Sequence, residues 1–347
     1  VLLRQDKRYE FYQGGGNTMD FDGITLVTGA AGFMGSHLVE YLAGRGVRVR
    51  ATARPRKDTS FFDNLGVEYV GADLTKPETL PPLFEGGVDR VFHLGAVCNF
   101  STPYEQLYPI NVKGVELITK HALEAQVKRY IHVGSTSVYA PYNGTPFSED
   151  YLQDPTSSYG KSKRDGEKVV RGRIDEGLPA IITRPCTVYG PRCTDGAGKA
   201  FSRPTSITAI PGSGKQLLAN IRAEDVAASV EYLSHLDEAV GEAYNISDNS
   251  NPTLEEALLL ASEAFETKPP TMHLPLGIVK IAARVDGFVS KMKGKVPDLE
   301  YDAVTYLYED YVVDNAKLKN TGYALIYPDF KESMKQMGEW YEDQAHH

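Results

Sequence analysis

A glycine series spaced three and three, Gly29-Ala30-Ala31-Gly32-Phe33-Met34-Gly35, directly follows the apolar run Ile24-Thr25-Leu26-Val27-Thr28. It opens onto a segment with helical periodicity from Phe33 through Leu42. In such a strand-to-helix turn the first glycine permits the tight bend, the second lets backbone approach a ligand, and the third lets helix pack on strand. The helix N-terminus then attracts an anion, and a dinucleotide pyrophosphate is the ligand that this placement points to. The plainer alternative is a Gly-rich turn with no ligand.

Further Val- and Ile-rich runs alternate with helix-like segments, the pattern of βα units around a parallel sheet covered on both faces. After the first strand, the expected strands are Val47 to Ala53, Val67 to Gly71, Val88 to Leu94, Lys128 to Val133 and Pro179 to Thr183. Helices are expected around Leu80 and over Val112 to Leu123, Lys161 to Ile174 and Ala223 to Leu236. Thr253 and Glu256 form a capping-box pattern before a helix to Phe265. The fold class is therefore α/β, a Rossmann-like doubly wound sheet with a smaller C-terminal substrate lobe. Residues 19–190 form the dinucleotide domain, with 223–248 returning to it through a strand at Ala243 to Ile246. Residues 191–222 and 249–345 form the lobe, whose first part is rich in Pro, Gly and Ser and reads as loops. Residues 1–18 read as a leader or loose arm, and the closing Ala345-His346-His347 as a tag scar. A helix with apolar residues at Ile278, Ile281, Ala282, Val285, Phe288, Val289 and Met292, flanked by Lys280, Arg284, Lys291 and Lys293, is strongly amphipathic. Core packing is its ordinary use; covering a greasy substrate or touching a membrane surface are the others. The Tyr-rich stretch 301–311 is either pocket wall or packing.

The net charge of −9 argues against nucleic acid as a partner. Cys98, Cys186 and Cys193 form neither a C-x-x-C pair nor a zinc spacing, so no metal site is expected and a reducing cytoplasm fits. No stretch suits a transmembrane helix, since Lys280, Arg284 and Asp286 interrupt the most apolar late segment.

About twenty residues after the glycines, where an acid would meet a ribose 2′-hydroxyl, stand Arg54, Arg56 and Lys57. A guanidinium there suits a 2′-phosphate, so NADP(H) is the preferred cofactor and NAD(H) the second choice; a solvated basic loop is the bland reading. Asp73 and Leu74 follow the third strand and are candidates for the adenine, although Asp73 could equally be a cap. Ser135 follows the fifth strand, and Tyr159 and Lys163 lie four apart on a helix, so the ammonium can lower the phenol pKa. Tyr159 can then move a hydroxyl proton while hydride moves to or from nicotinamide, with Ser135 orienting the substrate oxygen.

The ordered set Thr28 to Gly35, Asp73-Leu74, His93 to Ala96, Asn111 to Gly114, Ser135 to Tyr139, Tyr159 to Lys163 and Arg184 to Pro191 resembles the extended short-chain dehydrogenase/reductases, also called the epimerase/dehydratase superfamily. The resemblance covers nearly the whole chain. It implies a catalytic set of Ser135, Tyr159, Lys163 and Asn111, with Asn111 holding a relay water and Lys163 also binding the nicotinamide ribose; a helix N-cap before Val112 is the alternative for Asn111. It further implies that Leu94, Gly95 and Ala96 line the cofactor, that Pro185 and Val188 pack near the nicotinamide, and that Arg192 reaches a phosphate or the substrate. Cys98, Thr136 and Arg222 are the candidate substrate contacts. Homodimerisation through the helices at Val112 to Leu123 and Lys161 to Ile174 is implied in the same way. Ala140 for a common Gly changes little. Thr187 and the segment Arg222-Ala223-Glu224-Asp225 depart from the nucleotide-sugar enzymes, whereas the Arg54-bearing strand and Val313 to Leu318 look more like the 3β-hydroxysteroid dehydrogenase and dihydroflavonol reductase branch.

The expected activity is thus an NADP(H)-dependent interconversion of a ketone or aldehyde and an alcohol on a mainly apolar small molecule. An NAD-dependent nucleotide-sugar epimerase or dehydratase is the alternative. A non-catalytic dinucleotide sensor ranks last, because Tyr159 and Lys163 are both present.

Overall fold

The structure, a computed structural model, describes residues 19–345 except 57, 141–145, 194–195, 203–207, 294–300, 302–303, 305–306 and 308. The arm 1–18, Lys57, His346-His347 and parts of the Tyr-rich stretch therefore lie outside the described residues. The centre is a seven-stranded sheet, every pair of it parallel, built from β1 (Ile24–Thr28), β2 (Val49–Thr52), β3 (Glu68–Tyr69), β4 (Val88–His93), β5 (Arg129–Val133), β6 (Ala180–Pro185) and β10 (Ala243–Ile246). The order is β10-β6-β5-β4-β1-β2-β3, so the winding reverses between β1 and β4.

Side chains alternate across the pleat and feed two cores. Val27, Ile131 and Ile181 face one side, with Leu38, Val39 and Leu42 of α1 (Phe33–Gly44) and Val226 and Val230 of α6 (Ala223–Ser234). Leu26, Tyr130 and Ile182 face the other, with Val115 and Ile118 of α4 (Lys113–Glu124) and Val170 of α5 (Ser158–Asp175). Both faces are covered, which is why β1 and β6 are buried along their whole length.

A third core joins α7 (Leu254–Ala264) to the C-terminal helix Phe330–Ala345 through Leu254, Leu258, Phe330, Met334 and Met337. Short parallel pairs β7 (Thr187–Tyr189) with β9 (Asn220–Arg222), and β8 (Ala209–Pro211) with β11 (Met272–Leu274), tie this part together.

Ala243–Ile246 joins the sheet beside β6, and the Thr253/Glu256 capping box forms. Other expectations need correction. Around Leu80 stand two 3-10 turns, Pro77–Thr79 and Pro81–Phe84, because three prolines remove the amides a longer helix needs. The stretch after Arg184 holds short strands as well as loops. Two short helices, α2 (Ser60–Asn64) and α3 (Tyr104–Asn111, with Pro109 inside), were not expected. Above all, α8 (Leu276–Met292) does not bury its apolar stripe. Val279 and Ala283 face inward onto Val304, whereas Ile278, Ile281, Val285, Phe288, Val289 and Met292 are exposed.

Candidate active site

A cleft of about 990 Å³ opens at the C-terminal ends of β1, β2, β4, β5 and β6, over the point where the strand order reverses. Crevices of this kind are the ligand sites of doubly wound sheets. At one wall, Gly29 has φ +67°, and a Cβ there would lie 2.8 Å from the Gly95 amide nitrogen. A Cβ on Gly35 would lie 2.1 Å from the Gly29 carbonyl oxygen, so α1 can approach β1 only with glycine there. Gly32 is the N-cap of α1, and neither a side-chain cap nor an acid in the first turn satisfies this helix end. Thr28 Oγ1 accepts from the Gly95 amide at 3.1 Å and lies 2.9 Å from His93 Nδ1, which joins the ends of β1 and β4.

Arg54 and Arg56, exposed two and four residues past β2, line the same cleft, as does Asp73. The Asp73 carboxylate accepts from the amide and hydroxyl of Thr75 at 2.9 and 2.7 Å, and these bonds hold its pKa below the usual range. Arg50, within β2, is buried and doubly bonded to Glu68 at 3.0 Å. A pyrophosphate fits the uncapped helix end, and a phosphate on the adenosine ribose fits the Arg54 and Arg56 side. Gly29, Gly32, Phe33, Met34, Gly35, Leu74, Leu94, Gly95, Ala96, Pro185 and Val188 all line the cleft as well.

Across the sheet, Ser135, Tyr159 and Lys163 line it too. Ser135 Oγ accepts from the Ser137 amide at 3.2 Å and lies 2.7 Å from Ser137 Oγ. Ser157 caps α5 by accepting from the Gly160 amide at 3.0 Å, which fixes the helix start at the catalytic tyrosine candidate. A Cβ on Gly160 would meet the Ser137 carbonyl oxygen at 2.4 Å, so this glycine lets the two segments touch. Lys163 Nζ donates to the Val133 carbonyl at 2.8 Å, and burial lowers its pKa to about 8. Burial, and then the Lys163 charge, hold His93 down to about 3, with His132 shifted the same way, so both imidazoles stay neutral. The Phe100 ring packs edge-on against Tyr159 at 4.9 Å.

Asn111 is the last residue of α3 and not an N-cap. Its side chain accepts from the Val97 amide at 2.8 Å and donates to the Val97 carbonyl and to Ser162 Oγ at 3.0 and 2.9 Å. It thereby braces the loop after β4 against α5 from just behind the cleft.

Among the candidate substrate residues, Cys98 lies exposed in the cleft, and Thr136 lies in its wall bonded to Tyr311 Oη and to the Pro185 carbonyl. Arg222 is a correction: it is buried away from the cleft, paired with Glu224 at 3.1 Å and stacked over Tyr327 at 3.9 Å. Arg192 is another, because its guanidinium clamps Glu40 of α1 at 2.9 and 2.6 Å. Ser137 and Phe100 are cleft residues that the sequence did not assign to the site, whereas Tyr311, the last residue of the stretch read as pocket wall or packing, lines the cleft. Ser137 had a signal in its place beside Ser135; Phe100 comes from a loop with no local motif. Among the described residues no cluster of His, Cys, Asp or Glu suits a metal ion.

Residues 25–247 match the NAD dependent epimerase/dehydratase family. Sterol demethylase protein B of Methylococcus capsulatus is 30% identical over 171 residues, 48% of this chain and 52% of that protein. Ceramide reductase of Caulobacter vibrioides is 30% identical over 275 residues, 78% of this chain and 80% of that protein. The UDP-glucose 4-epimerase of Thermus thermophilus, solved with NAD, superposes with a TM-score of 0.72 at 21% identity, covering 92% of this chain and 99% of that one. The chain belongs to the NAD dependent epimerase/dehydratase family and is an NAD(P)-dependent oxidoreductase of the extended short-chain dehydrogenase/reductase type.

Proposed function

We propose that the protein interconverts a ketone or aldehyde and an alcohol on a mainly apolar small molecule, with NADP(H) as the cofactor. The observation that carries this reading is a single cleft with a cationic end at Arg54 and Arg56 and a Ser135/Tyr159/Lys163 end three strands away. At about 4.8 Å per strand the two ends stand roughly 14 Å apart, a span that suits a dinucleotide laid across the strand ends. Arginine favours a 2′-phosphate where a carboxylate would repel it. The remaining wall includes Phe100, Ile110, Val188, Leu218, Leu307 and Tyr311, an apolar surround for a carbonyl substrate. The similarity to ceramide reductase points to the same substrate class.

A nicotinamide held in the cleft would supply or accept the hydride. Tyr159 Oη gives a proton to the substrate oxygen in reduction and takes it back in oxidation. Ser135 Oγ, held by Ser137, donates a hydrogen bond to that oxygen. The Lys163 ammonium, fixed by the Val133 carbonyl, stabilises the phenolate that forms when the proton leaves. Leu94, Gly95 and Ala96 back the cofactor, with Asn111 holding their loop. By the family resemblance α4 and α5 are the helices of a homodimer.

The test is loss of NADPH absorbance with long-chain ketones and aldehydes beside UDP-sugars. Stoichiometric NADPH oxidation by an apolar carbonyl is expected. Tightly retained NAD and redox-neutral conversion of a UDP-sugar would instead establish the epimerase or dehydratase alternative.

A further inference from the structure

We propose that the outer face of α8 docks on the surface of an anionic phospholipid bilayer. Six large apolar side chains recur at helical spacing along this face, and all are exposed, from Val289 at 38% to Phe288 at 67% and Met292 at 75%. They lie on one stripe, roughly 140° round the helix from Val279 and Ala283, which bind α8 to the rest of the chain. Single exposed apolar residues are ordinary, but a continuous stripe of this size marks an interaction surface.

Charge selects the occupant. The chain carries −9 overall, yet the sequence of α8 and the residue after it holds Lys280, Arg284, Lys291 and Lys293 beside one acid, Asp286. Lys280 and Arg284 stack over the Tyr301 ring at 5.9 and 4.8 Å, along one edge of the stripe. Asp286 is half-buried and accepts from Ser290. An apolar stripe with a cationic edge is the composition of a helix lying in a bilayer interface, where Lys and Arg meet lipid phosphates. A second copy of the chain fits less well, since antiparallel pairing of two such stripes would set the Arg284 edges against each other.

The position also has a use, which rests on the apolar-carbonyl reading above. Val304 packs under α8, and Leu307, whose amide donates to the Val304 carbonyl at 3.1 Å, lines the cleft. A bilayer at α8 would therefore stand next to the apolar wall and deliver a membrane-dissolved substrate to it.

The test is flotation of the full chain with vesicles of phosphatidylcholine containing phosphatidylglycerol, against phosphatidylcholine alone, with size-exclusion chromatography alongside. Wild type is expected to float with the anionic vesicles and to be released by high salt. The double variant Val285→Asp/Phe288→Asp is expected to lose at least ten-fold in binding, with cofactor binding and turnover of a water-soluble carbonyl unchanged. Absence of wild-type flotation would overturn the proposal, as would undiminished binding by the variant. A variant that changes only the oligomeric state would assign the face to a second copy instead. Because flotation needs neither cofactor nor substrate, its failure is distinguishable from failure of the reductase reading.

Discussion

Lys163 sits where burial and chemistry oppose each other. Burial lowers its pKa to about 8 from 10.5, so the ammonium is present below about 8 and is lost as pH rises through it. The rate of carbonyl reduction should therefore fall across that range, and a pH–rate profile that stays flat into the alkaline region would contradict the role given to this cation. Tyr159→Phe keeps the ring against Phe100 but removes the transferable proton. It should lower kcat by about 10²–10⁴-fold with little change in the dissociation constant for NADPH, measured by fluorescence titration. Ser135, Tyr159, Lys163 and the glycines were legible from sequence because their relations are local: a turn, a helix repeat, a strand end. Arg192 and Arg222 were not: Glu224 is a near neighbour of Arg222 in sequence, but a remote group also holds each arginine. Glu40 and Tyr327 lie more than a hundred residues from the arginines they hold.

At the scale of elements, α5 makes a sharp comparison among its glycines. A Cβ at Gly166 would stand 2.5 Å from the Asn111 carbonyl oxygen, whereas one at exposed Gly172 would meet nothing within 4 Å. Gly172→Ala should stabilise the fold by about 0.5–1 kcal/mol, by removing backbone entropy from the unfolded chain. Gly166→Ala should destabilise it by about 1–3 kcal/mol through overpacking. Urea unfolding of the two variants checks this, and equal effects would show that α3 and α5 are not in close contact. The main strands and the long helices were readable because both faces of the sheet are covered, which leaves continuous apolar runs. α3 was hidden by Pro109, and the direction of α8 could not be read at all. Periodicity reports that one face is apolar, not whether the rest of the chain meets it.

For the molecule as a whole, stability should carry the mark of buried titratable groups. Asp248, after β10, is buried with one carboxylate oxygen bonded to Ser250 and the other without a partner, and burial raises its pKa to about 7. Its folded-state pKa exceeds the unfolded one, so folding takes up protons and its contribution is lost as pH rises through about 4 to 7. His37, His93 and His132, with lowered values, work in the opposite direction and lose stability as pH falls below about 6.5. The melting temperature of Asp248→Asn relative to wild type should thus increase from about pH 5 to about pH 8. A constant difference would mean that the carboxyl is not held neutral in the fold.

Titration of the purified protein with NADPH and NADH, for wild type and Arg54→Asp, after a spectroscopic check for co-purified nicotinamide, tests the cofactor assignment on which the proposed function rests. Wild type should bind reversibly and favour NADPH, and Arg54→Asp should lose that preference while NADH affinity changes little. Equal affinity for the two cofactors, equal loss of both in the variant, or NAD retained through purification would contradict it.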